Sequence, residues 1–146
     1  MAKLSVPRNR LGNSSLEDCG RVLTLQVLDL SSNGISLVSA AIGALAALVE
    51  LVLDDNSIEV LPPECSQLVR LKTLSLRNNR ITGDTVPSSE FQPLPKGLFT
   101  DTGLERLNLE GNPILRRQLL EFAGVDAWLE RCSKTKQKDI ALYMGQ

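Results

Sequence analysis

Leucines recur along this chain in a fixed frame, with polar residues between them. From Leu71 to Ile81 the frame is Leu71, Leu74, Leu76, Asn79 and Ile81. Set back by 23 residues it reads Leu48, Leu51, Leu53, Asn56 and Ile58, and by a further 23 it reads Leu25, Leu28, Leu30, Asn33 and Ile35. It returns after a longer gap of 33 as Leu104, Leu107, Leu109, Asn112 and Ile114, and a weaker copy stands first as Met1, Leu4, Val6, Asn9 and Leu11. Five repeats therefore occupy residues 1–115. In each, the L-x-L core alternates, which predicts a short strand with Leu28/Leu30, Leu51/Leu53 or Leu74/Leu76 on one side and the intervening residues on the other. Strands repeated at a constant offset align as a parallel sheet. Such a sheet is usually covered on both faces, but this alternation buries only one and leaves the other free, as a stacked-repeat solenoid does.

The frame resembles the leucine-rich repeat family, whose pattern is L-x-x-L-x-L-x-x-N/C-x-L in units of roughly 20 to 29 residues. The resemblance covers about residues 1–115 and implies an α/β solenoid, a short right-handed horseshoe with the parallel sheet on its concave face. It also implies that Asn9, Asn33, Asn56, Asn79 and Asn112 form a ladder whose side-chain amides satisfy backbone groups of the turns. Each buried group left unmet would cost roughly 1 to 3 kcal/mol.

After each asparagine the chain must return along the convex side. Ile58 to Leu68, IEVLPPECSQL, matches the family's I-x-x-L-P-x-x-I-x-x-L, with Cys65 where a small core hydrophobe belongs. Repeat two keeps the spacing through Val38, Ile42 and Leu45, and its alanines at 40, 41, 44, 46 and 47 favour a short helical turn. Repeat one is the loosest, with Leu16, Cys19 and Val22 as its inward residues. Repeat four departs: 13 positions separate Ile81 from Leu94 where three separate Ile58 from Leu61, so ten residues are inserted within roughly Gly83 to Pro93. The insert is rich in turn formers and carries one large apolar residue, Phe91. It reads as a surface bulge with Phe91 folded back onto the repeat, or as a loop that contacts a partner.

Beyond Ile114 the frame stops. Leu115, Leu119 and Phe122 fall at helical spacing, Gly124 interrupts, and Val125, Trp128, Leu129 and Cys132 form a second apolar stripe with Asp126 as its N-cap. Residues 116–146 are thus expected to be a helical C-terminal cap and tail, with Trp128 in its core. GVDAWLERCSKTKQK also looks like the helical ending of some small intracellular leucine-rich repeat proteins. Lys134, Lys136 and Lys138 read as a solvated run, and the closing IALYMGQ either docks or stays free.

Composition removes several function classes. Sixteen basic and 17 acidic side chains give a formal net charge of −1, leaving no global field to attract nucleic acid or an acidic membrane. Three cysteines, at 19, 65 and 132, contain no C-x-x-C and fit neither a disulfide framework nor a zinc site. They suit a reduced intracellular, cytoplasmic setting. The start, MAKLSVPRNR, has no apolar signal region. Leu30 to Val49 carries no formal charge, but its serines, Asn33 and repeat spacing argue against a membrane span. No histidine occurs, so Ser-His-Asp, Cys-His and His-bearing metal sites are excluded, and no glycine-rich phosphate loop is present. Asp54 and Asp55 are adjacent, so their side chains diverge and make a poor acid–base pair. Neither an enzyme nor a cofactor is expected.

The free face follows from the frame. Between the strand leucines it shows Ser5, Asp29, Val52, Ser75 and Asn108, and just after the second leucine Pro7, Ser31, Asp54, Arg77 and Glu110. Asp54, Arg77 and Glu110 then stand in a row of alternating charge, either pairing with one another or re-paired by a partner. Val27 and Val52 add small apolar contacts. The expected binding residues are Asp29, Val52, Asp54, Arg77, Asn108 and Phe91. The resulting expectation is a protein–protein interaction module, an adaptor or regulatory subunit that takes a protein or peptide on the concave sheet and is a monomer in isolation. The alternative is a structural or self-assembling component of a larger cytoskeletal or ciliary complex.

Overall fold

The computed structural model describes residues 3–5, 25–82, 93–133 and 142–143. The leucine frame becomes a ladder of very short strands: β1 (Lys3–Ser5), β2 (Val27–Asp29), β3 (Glu50–Val52), β4 (Thr73–Ser75), β5 (Arg106–Asn108) and β6 (Leu142–Tyr143). All pair in parallel, in chain order, as one six-stranded sheet. The register carries the frame across the sheet, with Leu4, Leu28, Leu51, Leu74, Leu107 and Leu142 side by side. In β2, β3 and β4 the central leucine is buried and both flanking residues are half-buried. One face is therefore core and the other open. Leu30, Leu53, Leu76 and Leu109 continue the buried row beyond the strands, each such side chain contributing roughly 1.5 to 3 kcal/mol by leaving water.

The strands are short because the chain turns directly after the second leucine. Ser32, Asp55, Asn78 and Gly111 occupy the same place in successive repeats and all adopt positive φ, between 55° and 79°. A left-handed residue ends a strand and costs a non-glycine residue roughly 1 to 2 kcal/mol. The asparagines next to these residues make the turn tolerable. Asn56 Oδ1 accepts the backbone N–H of both Asn33 and Ile35 at 3.0 Å, while its Nδ2 donates to the carbonyls of Leu30 and Leu53. Asn79 does the same one repeat on, accepting from Ile58 N–H at 3.0 Å and donating to Leu53 and Arg77 carbonyls. Asn112 accepts from Ile81 N–H and donates to Leu76 and Leu109 carbonyls. Each carboxamide thus ties two adjacent repeats and satisfies several otherwise orphaned backbone groups. Asn9 lies outside the described residues.

On the convex side the returns are 3-10 helices at Ala40–Ala44 and Pro63–Gln67, then the α-helix α1 (Lys96–Thr100). They pack closely: a Cβ on Gly43 would stand 2.9 Å from the Glu64 carbonyl oxygen, so only glycine lets the first two meet. Ile42, Leu61, Cys65, Leu68, Leu94 and Leu98 point inward from these returns. Burial, reinforced by neighbouring Glu64, pushes the Cys65 thiol up to about 12 and keeps it neutral. Pro93 is buried where the chain rejoins the frame, and its carbonyl accepts the Leu61 N–H at 2.8 Å.

Two helices close the far end, α2 (Arg116–Leu119) and α3 (Val125–Ser133). Leu119, Phe122, Val125 and Trp128 are buried against the last repeat. Trp128 donates its Nε1–H to the Leu104 carbonyl at 2.9 Å, and its ring lies 5.4 Å from that of Phe99. Asp126 sits in the first turn of α3 and does not cap it. The helix instead starts from Gly124, whose φ of +90° only glycine adopts freely, and Asp126 acts through favourable charge at the helix N-terminus. The uncharged stretch from Leu30 to Val49 forms a turn, a loop and a 3-10 helix. No helix among the described residues is long and apolar enough to cross a membrane. The return of repeat one, the insert with Phe91, and Lys134, Lys136 and Lys138 lie outside the described residues.

Candidate functional site

Parallel pairing without slippage places equivalent residues of successive repeats side by side, so the open face is a grid. One column runs Ser5, Asp29, Val52, Ser75, Asn108 and, by backbone register, Tyr143. A second column, two residues earlier in each strand, runs Lys3, Val27, Glu50, Thr73 and Arg106. The row after the second leucine carries Ser31, Asp54, Arg77 and Glu110. Of the expected binding residues, Asp29, Val52, Asp54, Arg77 and Asn108 all lie on this face. Phe91 is outside the described residues.

Several of these polar groups are held by the fold. Asp29 Oδ1 accepts the backbone N–H and the hydroxyl of Ser31 at 3.0 and 2.6 Å. Asn108 Oδ1 accepts the Glu110 N–H at 3.1 Å, so both residues close small turns at a strand end. Asp54 Oδ1 accepts the Ser75 hydroxyl at 2.6 Å and the backbone N–H of Arg77 at 2.9 Å. The alternating row of charge is therefore only half realised. Arg77 Nε lies 3.4 Å from Glu110 Oε2, and both side chains are about half exposed, at 50% and 44%. Asp54 meets the Arg77 backbone and not its guanidinium, because its short side chain lies level with the next strand's amide. In the outermost row Asn78 Nδ2 donates to Asp55 Oδ1 at 2.7 Å, so the two adjacent aspartates already serve different turns.

Between these rows the face is hollowed. A depression of about 240 Å³ is floored by Leu74 and Ser75 and walled by Glu50, Val52 and Asp54 on one side and Arg106 and Asn108 on the other. Thr73 is one of the free positions of the repeat from Leu71 to Ile81, whereas Glu50 and Arg106 were not singled out from the sequence. The alternation that placed Val27 on the open face places them there too, since all four precede the central leucine of a strand. Among the described residues no cluster of three or more Cys, Asp or Glu side chains is arranged to hold a metal ion.

Comparison with known proteins accords with this architecture. Two leucine-rich repeat family models match contiguous segments, one over residues 24–45 and the other over 46–114. An LRR protein of Leptospira interrogans superposes with a TM-score of 0.72 at 30% sequence identity, covering 88% of this chain and 29% of that one. The transforming growth factor beta activator LRRC32 of Pongo abelii is 34% identical over 95 residues, 65% of this chain and 13% of its own length. The geranylgeranyl transferase type-2 subunit alpha of Bos taurus is 36% identical over 98 residues, 67% of this chain and 16% of its own. The chain thus spans less than a fifth of the curated relatives it matches.

Proposed function

The chain belongs to the leucine-rich repeat family, whose repeats generally mediate protein–protein interaction, and on that premise we propose that it is a binding module which takes a protein segment on its open, concave sheet. The observation that carries this reading is the depression walled by Glu50, Val52 and Asp54 opposite Arg106 and Asn108. It combines a half-buried apolar contact with polar groups already fixed by the fold, a combination that lowers the ordering cost of binding. In this reading the chain is an adaptor or regulatory subunit, intracellular and monomeric by itself. One relative is named as an activator and another as a subunit, roles in which a chain works with another protein. A catalytic role is disfavoured by the lack of histidine and by Asp54 and Asp55 being committed to separate structural hydrogen bonds.

Affinity capture tests the reading. Bait carrying Val52→Arg and Arg77→Glu, shown to fold by circular dichroism, should lose partners that wild type and a Glu121→Arg control on the cap both retain. Identical capture by all three baits would remove the site from the concave face.

A further inference from the structure

The depression has a sign on each side. Glu50, Thr73 and Arg106 are in register across three neighbouring strands, and all three line it. Glu50 is half-buried and Arg106 exposed, and neither takes part in an ion pair among the described residues. Asp54 stands on the Glu50 side, and only its Oδ1 is engaged, by Ser75 and Arg77. The wall toward β3 is thus acidic and the wall toward β5 basic, with Val52 as the apolar contact beside the acid. Arg77, the other cation of this face, leans toward Glu110 at 3.4 Å and does not line the depression. Arg106 is the cation left to meet a ligand.

Strands two apart are separated by roughly 10 Å, and an extended chain advances roughly 3.3 Å per residue. Side chains two or four positions apart on a crossing extended peptide share a face and span roughly 6.6 to 13 Å, which brackets the distance between the two walls. We propose that the depression takes an extended segment of another protein carrying a lysine or arginine against Glu50 and Asp54 and, two or four positions away on the same face, an aspartate or glutamate against Arg106. The proposal rests on the concave-face reading and specifies the chemistry of its ligand. Complementary charge sets register and partner choice more than raw affinity, which suits a shallow site whose floor is only Leu74, Ser75 and the edge of Val52.

The test is selection from a displayed random twelve-residue peptide library on the full chain, followed by binding of the enriched peptides to charge variants. Wild type should enrich sequences with a basic and an acidic residue two or four apart. Glu50→Arg and Arg106→Glu should each weaken those peptides roughly 5- to 10-fold, as exchanging an exposed attraction for a repulsion does. The double exchange should recover them in the opposite orientation. Peptides that Val52→Arg abolishes but the charge reversals leave unchanged would overturn the charge assignment while keeping the concave site. Peptides indifferent to all these variants, or no enrichment at all, would overturn both. Self-association of wild type that Arg106→Glu abolishes would place a second copy in the depression and overturn the proposal likewise.

Discussion

The carboxylate of Asp54 accepts a hydrogen bond from the backbone N–H of Arg77 at 2.9 Å, across the boundary between two repeats. The same oxygen takes the Ser75 hydroxyl. A residue on the open face is therefore also a fastening of the sheet. Asp54→Ala should lower unfolding free energy by about 1 to 2 kcal/mol, since two bonds to a charged acceptor are lost at a half-exposed position. Chemical denaturation measures this, and a loss near zero would show that water replaces Asp54 freely. For the same reason Asp54→Ala alone is a poor probe of binding.

The neighbouring pair behaves differently. Arg77 and Glu110 are half exposed, so their 3.4 Å contact gains little over solvation. A double-mutant cycle with Arg77→Ala and Glu110→Ala should give a coupling of about 0.2 to 1 kcal/mol that shrinks with added salt.

The asparagine ladder is where stability concentrates. Asn79→Ala strands the buried Ile58 N–H and leaves the Leu53 carbonyl with Asn56 Nδ2 as its remaining side-chain donor, for a loss of about 1 to 3 kcal/mol by the cost of one unmet buried group. Asn112→Ala should cost less, because that side chain is only half-buried. Equal losses at the two positions would contradict the ladder as the cause.

Trp128 is the sole tryptophan, and its indole is fully buried with its N–H on the Leu104 carbonyl. Its fluorescence should be blue-shifted and shielded from quenchers in the folded protein and should red-shift on unfolding. Trp128→Ala should destabilise by about 3 to 5 kcal/mol, and a transition seen by tryptophan apart from that seen by circular dichroism would show the cap melting first.

Cys65 supplies a pH test. Its thiol is pushed up to about 12 from an ordinary 9.0. The unfolded chain ionises from 9.0 upward while the folded chain keeps the proton, so this contribution to stability is complete below 9.0 and lost progressively toward 12. In a Cys19→Ser/Cys132→Ser background the added Cys65→Ala substitution should flatten that alkaline slope. The lone thiol should react with a disulfide reagent only as fast as the protein opens.

How far the sequence foretold this molecule depends on the scale of the question. The frame from Leu25 to Ile114 reveals the sheet, its register and its open face, because a fixed offset leaves a parallel stack little freedom. Asn56 and Asn79 were legible as turn fastenings through the family resemblance. Which atoms meet on the open face was not. Residue spacing places Asp54 beside Arg77 but cannot tell a backbone amide from a guanidinium as its donor. Glu50 and Arg106 escaped notice because they precede the central strand leucine, although the alternation treats both sides of it alike. The pairing of Leu142 and Tyr143 with β5 has no frame behind it: a single leucine with no following asparagine carries no register.

The central claim is that partners contact the concave sheet, and site-specific photo-crosslinking tests it most directly. A photoreactive side chain at Thr73 or Arg106 should form an adduct with a captured partner protein, and one at the exposed Val69 or Glu59 away from the sheet should not. Adducts from Val69 or Glu59 alone, with none from the sheet, would contradict the account.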